Sequence, residues 1–272
     1  MSQTVTSASG VLTDTGTYLD KIIANTLVEV AERKQHAPRL TPYPTAPRDF
    51  AGALRRETIA LIAEVKHASP SKGVLIAPFE PVALAKTYAD HGAAALSVLT
   101  DGRFFQGSLA DLQAVRAAVD LPIIRKDFVI DSFQVSEARA VGADAVLLIV
   151  GVLDDAKLAD LYAIITGHGL TALIEVHDDG ELDRALQLSP KLVGINARDL
   201  RTFHTDLGTI RRLATNVPKG VTLVAESGIH TAADVQSMAE AGASAVLVGE
   251  ALIVAADRPA KVRELSGVPR QK

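Results

Sequence analysis

The 272-residue chain has no cysteine. That excludes disulfides, thiolate metal sites and a cysteine nucleophile, and it fits a reducing compartment. Long apolar runs are missing too. The longest, Ala145 to Leu153, sits between Asp144 and Asp154 and is far too short to span a bilayer. Met1 to Gly10 lacks a basic stretch followed by an apolar core, so no secretory signal is expected. Excess positive charge is absent as well. A net charge of −4 argues against a broad nucleic-acid surface, so an anionic ligand needs a local basic cluster. The seven histidines show neither His-x-His nor His-Glu-x-x-His spacing. Glu175 and His177 share a face with no third ligand in view, so His177 reads as a loop residue and no metal is expected.

What remains is ordinary globular composition, 48% hydrophobic and 22% charged, in a chain long enough for one large domain. Residues 1–16 are small and polar and read as a mobile terminus. Leu19, Ile22, Ile23, Leu27 and Val30 form one stripe and predict a helix over 17–35. Pro38, Pro42, Pro44 and Pro47 make 36–48 a stiff connector. A second short helix is predicted over 49–57, with Asp49 near its start. The expected division is a helical extension with its connector over 1–48 and a catalytic domain over 49–272.

From Ile59 onward the pattern alternates. Strands are predicted near 59–66, 94–99, 121–126, 144–150, 171–176, 192–196, 221–226 and 245–249. Helical patterns fill the gaps, and a last helix falls near 258–265. Alternation of this kind implies parallel strands joined by right-handed crossovers. Gly92-Ala-Ala-Ala, Gly142-Ala-Asp-Ala and Gly242-Ala-Ser-Ala each end a helix and open a strand. Their spacing matches two and four strand–helix units. The expected fold is therefore α/β, a (βα)8 barrel with an N-terminal helical extension. An open doubly wound sheet is the alternative, but no Gly-x-Gly-x-x-Gly loop follows the first strand, and no nicotinamide or flavin site is evident.

In such a barrel the site lies at the carboxyl ends of the strands. Side chains alternate along a strand, so the ends can be read for what they deliver. Strand one gives Glu64 and Lys66, then Ser69 in a Ser-Pro-Ser turn; strand three gives Lys126 and Phe128. Strand five gives Glu175, strand six Asn196 and then Arg198, strand seven Glu226, Ser227 and Gly228, and strand eight Gly249 and Glu250. A single buried ion pair is most often structural. Two lysines, three glutamates and an asparagine converging on one mouth point to chemistry instead. Glycines after strands seven and eight, each before a helix, suit a phosphate. Phe104, Phe105 and Phe128 read as core or pocket wall, with Leu147 beside them.

Glu64-Val-Lys66-x-x-Ser69-Pro-Ser71, Ser97 to Ser108, Arg125-Lys-Asp-Phe128, Gly194-Ile-Asn-Ala-Arg-Asp-Leu200 and Ala225-Glu-Ser-Gly228 closely resemble the indole-3-glycerol phosphate synthase family, in order and over about 18–266. The resemblance implies closure of the pyrrole ring in tryptophan biosynthesis. The substrate would be 1-(2-carboxyphenylamino)-1-deoxyribulose 5-phosphate, and carbon dioxide and water would leave without a cofactor. It implies Lys126 as general acid with Glu175 as partner carboxylate. Lys66 and Glu64 become a pair tied to the substrate carboxylate and later proton transfers. Asn196 and Glu226 orient the reacting centre. Ser69, Arg198, Ser227, Gly228 and Gly249 become phosphate or substrate contacts. Ala197 and Glu250 depart from the family pattern, and an acid at 250 sits awkwardly beside a phosphate. The resemblance also implies a cytoplasmic monomer that could associate with other tryptophan-pathway enzymes.

Three rivals remain from the residues alone. A sugar-phosphate isomerase would use Glu64 and Glu175 but leave both lysines surplus. A class I aldolase would use Lys126 as a Schiff base. A non-catalytic phosphate binder would have no need of a full acid–base set. For the favoured chemistry, a nearby lysine and desolvation are expected to bring Lys126 down from the ordinary lysine value of about 10.4.

Overall fold

The computed structural model describes residues 5–6, 10, 12–13, 18–36, 40–199 and 202–270. The polar terminus before the first helix thus falls mostly outside the described residues, as do Pro38 and Leu200 of the quoted motifs.

Eight parallel strands close into a barrel in sequence order. They are β1 (Ala60–Val65), β2 (Ala95–Leu99), β3 (Ile123–Lys126), β4 (Ala145–Ile149), β5 (Thr171–Val176), β6 (Leu192–Asn196), β7 (Thr222–Glu226) and β8 (Ala245–Val248). β8 pairs back to β1 through Val246 and Leu61. Most strand residues are buried because helices cover the outer face, which is why the strands read as continuous apolar runs. The helices are α1 (Tyr18–His36), α2 (Phe50–Ala53), α3 (Pro81–Asp90), α4 (Leu109–Ala118), α5 (Ser132–Ala140), α6 (Asp155–Gly167), α7 (Asp179–Leu186), α8 (Leu207–Ala214), α9 (Ala232–Glu240), α10 (Glu250–Ile253) and α11 (Arg258–Ser266).

Local chemistry sets the helix limits. Ser108, Asp131, Asp154, Asp178, Asp206 and Thr231 each accept a backbone N–H from the first turn of the helix they precede. Such caps stabilise by about 1 kcal/mol each. Gly92, Gly142 and Gly242 hold φ of +115, +87 and +96, the left-handed conformation that ends a helix.

The sequence-based boundaries differ in a few places. The helix expected over 49–57 is a single turn, Phe50–Ala53, with Asp49 as its cap; Phe50 and Leu54 are fully buried. The Ser-Pro-Ser turn is held by a two-residue ladder between Ala68–Ser69 and Gly73–Val74. A turn of 3-10 helix, Val150–Val152, and the short α10 follow β4 and β8. These pieces are too short to leave a period in the sequence.

Helix α1 uses the expected stripe: Leu19, Ile22, Ile23 and Val30 are buried. Its first turn lies over the loops at the carboxyl end, where Tyr18 makes edge contacts with Phe104 and Phe203 at 5.6 and 5.5 Å. Its last turn lies on α5, with Lys34 bonded to Asp131 at 3.0 Å and Arg33 to Glu137 at 2.9 Å. The connector then descends along α5, where Arg139 donates to the carbonyls of Tyr43 and Thr45. It reaches the amino end of the barrel at Arg48, whose guanidinium donates to the Val119 and Leu121 carbonyls. There Asp144, fully buried, accepts from Arg116 and from the Arg48 and Ile123 amides. Among the described residues no helix is long and apolar enough to cross a membrane.

Candidate active site

The carboxyl ends of the strands enclose a pocket, and every residue assigned to the site from the sequence lines it. Glu64 and Lys66 come from β1 and its end, Lys126 from β3, Glu175 from β5, Asn196 from β6 and Glu226 from β7. Phe105, Phe128 and Leu147 form the apolar wall; the two rings sit 6.2 Å apart. Ser69, Arg198, Ser227, Gly228, Gly249 and Glu250 lie along the polar rim.

Two lysine–carboxylate pairs stand at the centre. Lys66 Nζ donates to Glu64 Oε1 at 2.6 Å. Lys126 Nζ donates to Glu175 Oε2 at 3.0 Å and lies 3.8 Å from Glu226 Oε2. The expected lowering of Lys126 is not what the structure shows. Burial alone would lower it, but Glu175, Glu226 and Glu64 outweigh burial and hold the ammonium above the ordinary lysine range. Glu175 moves the opposite way. Burial would raise it, yet Lys126 and then His177 keep it well below the usual carboxylate range. Glu226 is pushed well above that range by burial and by the adjacent Glu175 charge. The same site thus holds Glu175 toward its ionised form and Glu226 toward its neutral form, with Glu226 Oε1 buried and without a hydrogen-bond partner.

Glycine makes this crowding feasible at two positions. A Cβ on Gly194 would stand 2.0 Å from Glu226 Oε1, and one on Gly249 would stand 2.4 Å from Glu64 Oε1. Gly249, expected as a phosphate contact, therefore also makes room for the β1 carboxylate. Ser227 adopts φ +67, a conformation rare outside glycine, at the turn leaving β7. Asn196 Oδ1 accepts the Arg198 amide at 3.0 Å and so shapes the turn that carries Arg198. The anomaly at Glu250 has a partner: its carboxylate accepts from Lys72 of the Ser-Pro-Ser hairpin at 2.5 Å. Burial would raise Glu250, and Lys72 outweighs that to hold it below the usual range.

Sequence reasoning missed three contributors. His177, read as a loop residue, does follow β5 directly, but it is enclosed between Glu175 Oε1 at 3.4 Å and Glu181 Oε2 at 3.0 Å. Asp101 lines the pocket and accepts the amides of Phe104 and Phe105 at 2.7 and 3.0 Å. The Ser97–Ser108 motif contained it, so the signal was present. His230, beyond β7, also lines the rim. Among the described residues no group of three or more His, Asp or Glu side chains is placed to hold a metal ion.

Comparison with known proteins agrees with this geometry. The chain resembles, as fold alone, the crystal structure of 3-hexulose-6-phosphate synthase, with a TM-score of 0.61 at 17% identity over 77% of this chain and 99% of that one. Sequence relatives are much nearer. It is 53% identical over 266 residues to indole-3-glycerol phosphate synthase of Roseiflexus sp. (strain RS-1), covering 92% of this chain and 98% of the relative. It is 45% identical to the enzyme of the same name from Chlorobium chlorochromatii (strain CaD3), covering 89% and 97%. The indole-3-glycerol phosphate synthase family model matches residues 19–265, which takes in all eight strands and every side chain placed in the pocket above. A barrel whose lysine and glutamate strand ends lie inside so long a match leaves one assignment: the chain belongs to the indole-3-glycerol phosphate synthase family.

Proposed function

We propose that this chain converts 1-(2-carboxyphenylamino)-1-deoxyribulose 5-phosphate to indole-3-glycerol phosphate, releasing carbon dioxide and water. The observation that carries the reading is the central arrangement of Lys126 against Glu175 and Glu226, beside the Lys66–Glu64 pair.

Ring closure needs the carboxylate-bearing aromatic carbon to attack a ketone while a proton reaches the ketone oxygen. Lys126 supplies that proton. Its raised pKa makes it a weaker acid than a lowered lysine would be, but the oxygen becomes an alkoxide as the bond forms, and an alkoxide is more basic still. The same carboxylates keep Lys126 charged over the whole working range, so the ammonium is always present to stabilise developing negative charge. Lys66 holds the substrate carboxylate until carbon dioxide departs and the aromatic ring is restored. Dehydration then needs an acid at the leaving hydroxyl and a base for the lost ring proton. Glu226, pushed toward its neutral form, has the acid for that step, and Glu64 lines the same pocket and is placed to share it with the two lysines. Phe105, Phe128 and Leu147 take the anthranilate ring. Ser69, Arg198 and the backbone at Ser227, Gly228, Gly249 and Glu250 take the phosphate, with the Glu250 carboxylate drawn off by Lys72.

The electrostatics count against the aldolase alternative, because a Schiff-base lysine reacts in its neutral form and Lys126 is held cationic. A cytoplasmic location, a monomeric state and any association with other tryptophan-pathway enzymes belong to the same reading; sizing by light scattering tests the second. The decisive assay follows indole fluorescence from the named substrate. The chain contains no tryptophan, so the product signal rises from a dark background. Tight uptake of substrate with no fluorescent product would make the barrel a binder rather than an enzyme.

A further inference from the structure

We propose that His177 is a positioning residue for the Lys126–Glu175 pair: it bridges Glu175 to Glu181 and occupies one Glu175 oxygen, so that only the other faces Lys126. The inference rests on the reading of Lys126 as acid and Glu175 as its partner.

The geometry is a four-membered chain of alternating charge. Glu181 Oε2, on α7, accepts both the His177 amide at 2.8 Å and the Nδ1 proton at 3.0 Å. Nε2 on the opposite side of the ring lies 3.4 Å from Glu175 Oε1, a charge contact rather than an aligned hydrogen bond. Glu175 Oε2 receives Lys126 at 3.0 Å. The two oxygens of Glu175 are therefore divided between two cations. Without His177, a fully buried carboxylate could rotate, or could take a proton and share it with Glu226. Among the described residues the imidazole has Glu181 on one side and Glu175 on the other. It also borders a cavity whose walls include Asp178, Asp199, His204 and Asp206. Burial alone would drive His177 toward the neutral form; Glu175 and Glu181 outweigh it and hold the ring protonated up to about 10. A neutral ring would leave one carboxylate facing a lone pair, so charge and geometry agree.

A purely structural role is the competing account, since the Glu181 contacts also fasten the turn between β5 and α7. The two accounts differ in which measurement moves. His177→Gln keeps a side chain of similar reach without the charge. If His177 acts through Glu175, turnover falls roughly tenfold with the Michaelis constant little changed, and the acidic limb of the pH–turnover profile moves up by about one unit. The sign follows from Glu175: losing a cation raises its pKa, so it protonates at higher pH. In a Glu175→Gln background the further change to His177→Gln should cost nothing, because the residue it acts on is gone. Glu181→Gln guards against misfolding of the first variant. It weakens the hold on the His177 proton, so the alkaline limb should move down while the fold stays intact by circular dichroism. Both variants lowering the melting temperature with unmoved limbs would overturn the inference. A wild-type protein that gives no indole product would overturn the functional reading and this inference together.

Discussion

Arg33 on the N-terminal helix lies 2.9 Å from Glu137 on α5, and Glu137 in turn accepts from Arg125 at 3.2 Å, one residue before Lys126. The N-terminal helix is thus tied by a buried charge to the strand that carries the proposed acid. Arg125 is itself almost fully enclosed, and also bonds Asp127, Thr100 and the Gln134 carbonyl. Removing one member of such a buried network leaves an uncompensated charge. Glu137→Gln should cost about 3–5 kcal/mol in urea unfolding. Arg33 is about a third exposed, so Arg33→Ala should cost less than ~1 kcal/mol. Equal losses would mean that Arg33 and Arg125 do not share Glu137 in solution.

The helix also sets how a truncation should be cut. The first turn of α1 packs beside the mouth, where Tyr18 meets the pocket-lining Phe203, and is proposed to act as a lid, while residues 40–48 fasten the amino end of the barrel. Removing residues 1–36 should leave a folded barrel with a raised Michaelis constant or lowered turnover. Removing 1–48 should in addition lower the melting temperature, because the Arg48 bonds to Val119, Leu121 and Asp144 go with it. A 1–36 deletion with unchanged kinetics would sink the lid role.

The barrel was legible because its signals are local. Apolar runs bounded by glycine and by helix caps place each strand within two residues of where it lies, and period two puts Glu64, Lys126, Glu175 and Glu226 on the inner face. Period two also assigns Arg125 to the outer face, but it cannot say that this face meets Glu137 and Asp127 under α5 rather than water. His177 was lost for the same reason. Its character comes from Glu175 and Glu181, two and four positions away and on different elements, and a histidine in a turn carries no sign of that enclosure. The acidity of Lys126 was misjudged because the number of carboxylates around it is a property of the closed ring, not of any one strand.

Asp101 offers a test of buried charge at the pocket rim. Burial, only partly relieved by the Phe104 and Phe105 amides, raises its pKa from 3.8 to about 6. A raised folded-state pKa means that the associated stability is fully present below the unfolded value and is lost as pH climbs through about 6. Ionised Asp101 therefore costs the fold about 3 kcal/mol at neutral pH. Asp101→Asn keeps an acceptor oxygen for both amides and removes the charge. It should raise the melting temperature at pH 8 and lose that advantage as pH falls to about 4. A gap that stays constant over this range would mean that Asp101 does not titrate as described.

Arg198 separates binding from chemistry. It lines the rim beside Ser227 and Gly228 and touches none of the central lysines or glutamates in the contacts seen. Phosphate contacts are made in ground and transition states alike, so Arg198→Ala should raise the Michaelis constant and spare turnover. Loss of turnover with an intact Michaelis constant would move Arg198 into the reacting centre.

The last test ranks the two lysines, which charge alone cannot do. Lys126 is surrounded by Glu175, Glu226 and Glu64, and is held more cationic than an ordinary lysine. Lys66 has one close carboxylate, Glu64, at 2.6 Å, and adjoins the Ser-Pro-Ser hairpin and Gly249 on the phosphate side. A substrate carboxylate can compete for Lys66 by displacing a single partner, whereas at Lys126 it would have to enter a site already crowded with anions. On the proposed reading, binding is therefore expected to fall to Lys66 and proton delivery to Lys126. Methionine is similar in length to lysine and donates nothing. Lys126→Met should lose about 10²–10⁴-fold in turnover and still bind substrate. It should also relax the carboxylates: with its nearest cation gone, Glu175 moves up, and the Glu175–Glu226 pair takes up a proton at higher pH than in the wild type. Lys66→Met should weaken binding and keep more of the ring-closing rate in a single turnover. The intermediate that accumulates decides between them. If Lys126→Met closes the ring at the normal rate and stalls before dehydration, while Lys66→Met fails to close it, the two roles are exchanged, and the crowding of carboxylates around Lys126 serves the second half of the reaction instead of the first.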